Sequence, residues 1–413
     1  MKKILASLLA VGVAGTSGIA ASAGFALNEQ SISAMGTSFA GRSSSASDAT
    51  TLYGNPAGMA LLDRAQASGG LAVIHASSRI DSASANSPFG TEVQGSNKGD
   101  MVPFTGVPMG FYVRPLDERW HAGVGIYVPF GMITDYERGF QGRYFGDYSE
   151  VRVITLQPTL SYKVNERLSL GFGPTLNRVD GRLETAVFTG TATDGRIIIK
   201  GDDTAVGYNL GALLQVTPAT RLGVTYHSMV DYRLEGRVQV RNLPLPVNGN
   251  YPATLDLRTP EMIDLSVTHQ LDPRWTLHAG AAWTRWSRLQ TIKPVSAFPT
   301  TIEEKQHWND SWAYAFGATL RLNPRLQLRS GIAFDQSPTN NIERSPRIPS
   351  GDRVAVSLGL GWQLSEQTSV DLAWSYLREE DTDIDISNPR KGNYRATYKN
   401  SAHGLGAQFN YLF

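Results

Sequence analysis

The 413-residue sequence predicts an all-β protein: a fourteen-stranded antiparallel transmembrane β-barrel, plugged by a small N-terminal hatch with short helices. Three observations lead there. From about residue 65 to the end the chain alternates apolar and polar residues with period two. Short polar turns alternate with long polar, Gly-rich connections. The last strand ends the chain on an aromatic residue, Phe413. The composition agrees with all three: 41 Gly, about a tenth of the chain against a usual ~7%, suit a turn-rich β protein, and 8 Trp, 16 Tyr and 15 Phe are more than a disordered chain carries. After the first two dozen residues no apolar run approaches the ~18 residues of a spanning helix, which excludes a helical membrane protein. A net charge of +1 with no basic block offers nothing to nucleic acid. With no cysteine, disulfides, thiolate metal sites and Cys nucleophiles are excluded, and nothing calls for a metal or a cofactor.

At the N-terminus, Lys2 and Lys3 precede an apolar stretch from Ile4 to Ala14, and Ala20, Ala21, Ser22 and Ala23 are small. This pattern reads as a signal peptide over residues 1–22, cleaved before Ala23 or Gly24. Its apolar core is too short for an anchor. Export combined with a barrel places the chain in the outer membrane of a Gram-negative bacterium. Without those two lysines, 36 basic side chains face 37 acidic ones, so the mature chain is close to neutral.

Residues 23–64 form the expected hatch, rich in Ser, Ala, Gly and Thr, with Ile32, Met35 and Phe39 at loose helical spacing. Near its end stands Asn55-Pro56-Ala57. Asn caps a helix, and Pro fits the first turn, where its missing N–H would have had no partner.

Residues 65–413 form the barrel. In the last strand Leu405, Ala407, Phe409, Tyr411 and Phe413 share one face, and Gly404, Gly406, Gln408 and Asn410 the other. Similar alternation runs from Trp120 to Phe130, from Leu222 to Tyr232, from Trp312 to Leu322 and from Val354 to Leu364, each read with one apolar face. A soluble sandwich would turn that face inward and a membrane barrel outward. Turns such as Leu116-Asp117-Glu118-Arg119 and Leu322-Asn323-Pro324-Arg325, set against long connections around 82–99, 188–203, 241–253 and 336–350, favour the membrane barrel. So do tryptophans near strand ends (Trp120, Trp275, Trp286, Trp308 and Trp312), which suit interfacial girdles. A terminal Phe413 is what barrel-assembly machinery reads. Strand starts are expected near 65, 101, 119, 150, 167, 204, 220, 254, 274, 307, 325, 351, 368 and 393. The even count lets the barrel close, and its lumen is too wide for wall side chains to fill, so the hatch is the natural plug.

These residues resemble the FadL-type family of outer-membrane transporters of long-chain fatty acids and other hydrophobic compounds. The resemblance rests on Ala23-Gly24-Phe25-Ala26-Leu27-Asn28-Glu29 at the mature start and Asn55-Pro56-Ala57 in the hatch. Further along it rests on Val128-Pro129-Phe130-Gly131-Met132 followed by Gly142-Arg143-Tyr144, on Thr284-Arg285-Trp286-Ser287, and on Gly331 to Pro338 followed by Arg347-Ile348-Pro349 and Asp352-Arg353. It implies passive transport of fatty acids, by lateral diffusion through an opening at a kinked third strand, with neutral or aromatic hydrocarbons as the alternative cargo. It also implies a monomer in contact with outer-membrane lipid and lipopolysaccharide.

The residues themselves support a kink: Pro129 has no N–H and Gly131 no side chain, so the third strand cannot pair there, and removing Pro129, Phe130 and Gly131 as a kink should let strands three and four pair. By resemblance, Phe25 and Leu27 are apolar ligand contacts. A fatty-acid carboxylate needs a cation, for which Arg178, Arg182 and Lys305 are the candidates. Two other classes compete. A lipid hydrolase would use a His and a Ser on the wall, and His75 and Ser77 share a strand face, but no third group orients His75. A diffusion porin or an adhesin would want an open charged lumen or elaborate loops rather than a small-residue hatch.

Overall fold

The structure, a computed structural model, describes residues 24–244 and 246–413; the expected signal peptide lies outside the described residues. Fourteen antiparallel strands close a barrel around the hatch. They are β1 (Gln66–Asn86), β2 (Thr105–Pro115), β3 (Trp120–Asp135), β4 (Tyr148–Lys163), β5 (Leu168–Val187), β6 (Gly195–Thr217), β7 (Thr220–His227 continued by Val230–Arg241) and β8 (Gly249–Thr259 continued by Met262–Gln270). They continue as β9 (Trp275–Thr284), β10 (Ser311–Asn323), β11 (Leu326–Asp335), β12 (Arg353–Gln363), β13 (Thr368–Glu379 continued by Thr382–Asn388) and β14 (Gly392–Leu412). Closure runs from Gln66↔Leu412 to Asn86↔Asn393. The expected strand starts lie close to these, except that β6 begins at Gly195 rather than near 204, because its ladder with β5 extends to Val187↔Gly195.

The apolar face points outward. Leu170, Phe172, Val206, Leu210, Phe316, Leu358, Leu405 and Phe409 are exposed, while Ser161, Ser169, Asn177, Asn209, Thr225, Ser357 and Gln408 are buried inside. A lipid-facing barrel inverts a soluble core in this way. Two strands depart from simple alternation. In β3 the register with β4 shifts between Tyr127 and Phe130, so Trp120 and Val124 face out but Phe130 faces in. In β7 a break at 228–229 leaves Leu222 and Val224 outside but Val230 and Tyr232 inside. The single apolar face read over each stretch is therefore two half-faces, because one extra residue reverses every side chain beyond it.

The kink sits at Val128-Pro129, but its consequence differs from the expected one. Strands β3 and β4 pair on both sides of the bulge, from Trp120↔Tyr162 to Tyr127↔Thr155 and from Phe130↔Val153 to Asp135↔Tyr148. The interrupted seam is β2–β3, paired only from Pro115↔His121 to Gly110↔Ile126. Beyond that, Thr105–Met109 of β2 pair with β1 alone. Both bordering strands carry a proline, Pro108 and Pro129, which cannot donate to a ladder. The amide of Asp135 donates to the Met101 carbonyl (2.7 Å) and closes the outer end of the seam.

The hatch contains α1 (Ile32–Met35), α2 (Thr51–Gly54) and a 3-10 turn, Pro56–Leu61. Its apolar residues Leu27, Ile32, Met35, Leu52 and Met59 are fully buried. Its Ser and Thr side chains bond the polar inner wall: Ser38 to Ser357 (2.7 Å), Ser43 to Ser266 (2.8 Å) and Ser44 to Thr268 (2.8 Å). The inner wall has to be small as well as polar. A Cβ at Gly223 would collide with the Ser43 carbonyl, and one at Gly171 with the Pro56–Ala57 backbone.

Candidate functional site: an apolar chamber beside the open seam

The first described residues of the hatch fill the edge that β2 leaves. The Leu27 amide donates to the Pro129 carbonyl (2.8 Å) and the Gly131 amide to the Phe25 carbonyl (2.9 Å), an antiparallel bridge centred on Ala26 and Phe130. The Gln30 side chain donates to the Val128 carbonyl (2.6 Å). The bulge thus presents backbone groups inward, and the hatch N-terminus, having no helical ladder of its own there, satisfies them. The bridge aims Phe25 into a ring cluster, with Phe130 at 5.8 Å, Trp286 at 4.8 Å and Trp308 at 6.0 Å between centroids. Gly24, at φ +71°, leaves no room for a Cβ against those two indoles. Trp286 and Trp308, read from sequence as girdle residues, are buried in this cluster, whereas Trp120, Trp275 and Trp312 are exposed.

Next to the cluster lies a partly open apolar chamber, bounded by Phe25, Met132, Leu234, Leu255, Leu289 and Ile348 among others. Its walls come from β3 to β8 and from the connections after β9 and β11, so no stretch of sequence contains it. Of the cationic residues that border it, Arg182, Lys200 and Arg347, the last comes from the connection 336–352 and is only 4% exposed in its side chain. Nε donates to Glu304 Oε2 (2.8 Å) and Nη2 to Glu304 Oε1 (3.1 Å) and to Thr185 Oγ1 (2.5 Å). Nη1 donates to the Tyr148 carbonyl (2.9 Å) and to Ser149 Oγ (3.0 Å). Lys391 Nζ reaches Glu304 Oε1 at 3.4 Å from the β13–β14 turn. Burial alone would push the Glu304 carboxyl up; Arg347 and Lys391 overcome it and hold it down, to about 2.

Of the three cations expected from sequence, Arg182 borders the chamber along β5, and Arg178 and Lys305 do not. Arg178 and Arg182 share β5's parity with the exposed Leu170 and Phe172 in an unshifted register, which places their side chains on the outer face. There Arg178 pairs with Asp180 (3.5 Å) and Asp202 (3.0 Å), and Arg182 with Glu184 while it lies over the Tyr148 ring. The period-two rule could have shown this from Leu170 and Phe172. Lys305 is exposed, in a two-residue ladder with Thr291. Arg347 carried no local signal, since its burial depends on a loop folding back into the lumen.

Of the other expected residues, Phe25 lines the chamber, whereas Leu27 packs in the hatch core with Ile32 and Leu52. Asn55 does more than cap. Oδ1 accepts from the Ala57 amide (3.0 Å), and Nδ2 donates to the Ser43 carbonyl (2.6 Å) and to the Ala212 carbonyl on β6 (2.9 Å), tying two hatch segments to the wall. His75 and Ser77 share the outer face of β1 with the exposed Leu71, and Ser77 donates to Asp100 (3.1 Å).

Known proteins share this architecture and sequence. The chain is 29% identical to the long-chain fatty acid transport protein of Salmonella typhi, with 98% of each chain covered. It is 29% identical to outer membrane protein P1 of Haemophilus influenzae over 100% of each. A crystal structure of a Pseudomonas aeruginosa FadL homologue superposes with a TM-score of 0.87 at 25% identity, covering 95% of this chain and all of that one. The family described as outer membrane protein transport protein (OMPP1/FadL/TodX) matches residues 13–413. The chain belongs to this OMPP1/FadL/TodX family and is a transporter of hydrophobic compounds in the outer membrane of a Gram-negative bacterium.

Proposed function

We propose that the barrel takes up long-chain fatty acids and chemically similar long-chain compounds passively, and releases them sideways into the bilayer through the β2–β3 seam. The observation that carries this reading is the adjacency of the apolar chamber to that seam: Met132 and Phe25 border the chamber, and the same stretch of β3 lacks a β2 partner. A long-chain compound held behind the polar sugar layer gains about 0.8 kcal/mol for each CH₂ that enters the bilayer core, so release needs no energy source. The S. typhi relative's name supports fatty acids as the cargo class. Uptake of labelled oleate by cells that depend on this protein tests the route. Deleting Pro129, which removes the one-residue excess of the bulge, should abolish uptake while the barrel still shows heat-modifiable migration on a gel, and unchanged uptake would refute sideways release.

A further inference from the structure

We propose that the chamber takes its long-chain cargo uncharged, a fatty acid as the protonated acid rather than the anion, because Glu304 is a resident carboxylate that occupies the cationic side chain at its wall. The proposal rests on the reading of the chamber as a ligand site. A guanidinium has five N–H donors in fixed directions. All five of Arg347's are used: one on Nε and one on Nη2 by Glu304, one by Thr185, one by the Tyr148 carbonyl and one by Ser149. No donor remains for a ligand head group. Arg182 and Lys200 border the chamber along their strands, but both share parity with outward residues, Phe172 on β5 and Leu210 on β6. Lys391 meets Glu304 without lining the chamber. The other polar side chains that line the chamber, Gln306 and Thr254, are neutral. A carboxylate entering this space would lose its water and gain no charge-assisted bond, whereas an ester, an alcohol or a protonated acid would lose far less.

The experiment compares 9,10-dibromostearate with its methyl ester at about pH 9, where the acid is ionised. The readout is quenching of Trp286 and Trp308 in the purified full-length barrel, with a variant lacking both indoles as background. The wild type should bind the ester at least about tenfold more tightly than the acid. Glu304→Gln keeps the shape, removes the resident charge and leaves Arg347 and Lys391 uncompensated. Acid binding should then tighten about ten- to hundredfold, with the ester unchanged. Adding Arg347→Gln to Glu304→Gln should restore the wild-type preference. Acid binding as tight as ester in the wild type, no gain for the acid in Glu304→Gln, or a gain that survives in the double variant would each overturn the proposal. Should Glu304→Gln fail to fold, the wild-type ratio and the neutral double variant still decide. Quenching by neither ligand would overturn the chamber itself as a ligand site. Sideways release stands or falls separately, on the uptake measured with the Pro129 deletion.

Discussion

The hatch meets the barrel wall in two ways. Where the hatch body lies on β5 to β8 the strands are paired, through Gly171↔Gly211, Ala212↔Val224 and Ser266↔Gly223, and the hatch is seated there through Asn55, Ser43 and Ser44, fitted against Gly171 and Gly223. At the β2–β3 seam the ladder stops at Gly110↔Ile126, and the hatch N-terminus supplies backbone bonds in its place. The first region is polar, small and closed; the second is apolar and interrupted. The contrast teaches where a ligand can go. A plug seated by many buried polar bonds on a paired stretch of wall offers no passage there, whereas the seam, bridged by a few backbone bonds beside an apolar chamber, is the place of the sideways release proposed above.

The largest expected effect comes from making the second region resemble the first. Without Pro129 the one-residue excess of the bulge is gone and the strand regains regular alternation with Tyr127 and Phe130 still facing in, and each ladder bond to β2 adds about 1 kcal/mol. Two such bonds lower an open fraction about thirtyfold, and oleate uptake should fall accordingly. The first region breaks at Asn55. Asn55→Ala loses a cap bond of about 1 kcal/mol and leaves the buried Ser43 carbonyl and the half-buried Ala212 carbonyl short of a donor, at a further cost of about 1–3 kcal/mol. The sequence alone argues only for the cap. Entry of small polar probes into cells should rise while the barrel remains folded, and unchanged permeability would remove Asn55 from the seat. Gly223→Val should act in the same direction but more weakly, about 1–3 kcal/mol, by forcing the Ser43 backbone off the wall; thermal unfolding followed by circular dichroism would show it. Arg178→Ala touches neither region. As one member of a partly exposed ion-pair cluster on the outer face it should change stability by about 1 kcal/mol or less and leave ligand binding unaltered. A tenfold loss of fatty-acid binding in that variant would restore it as a head-group partner.

Much of this was legible in the chain. Period-two alternation located the strands because a lipid-facing wall must place apolar residues on every second position. Asn55-Pro56-Ala57 announced its turn because capping is local chemistry between neighbours. Pro129 announced an irregular strand because a proline lacks a ladder donor wherever it stands. Less was legible wherever a short extra segment reverses parity: the bulge at Val128-Pro129 and the break at 228–229 each turned one expected face into two.

By itself, then, the sequence determined the elements: a barrel of fourteen strands, a polar plug and a defect in the third strand, all consequences of local periodicity, turn chemistry and missing donors. Only the tertiary structure decided which neighbour the defect leaves unpaired, because a strand has two edges and the sequence does not name the one that faces β2. It also decided the chemistry of the chamber. Arg347 and Glu304 lie forty-three positions apart and meet Ser149 and Thr185 from two further strands, and a buried charge takes its meaning from the partners that folding brings to it.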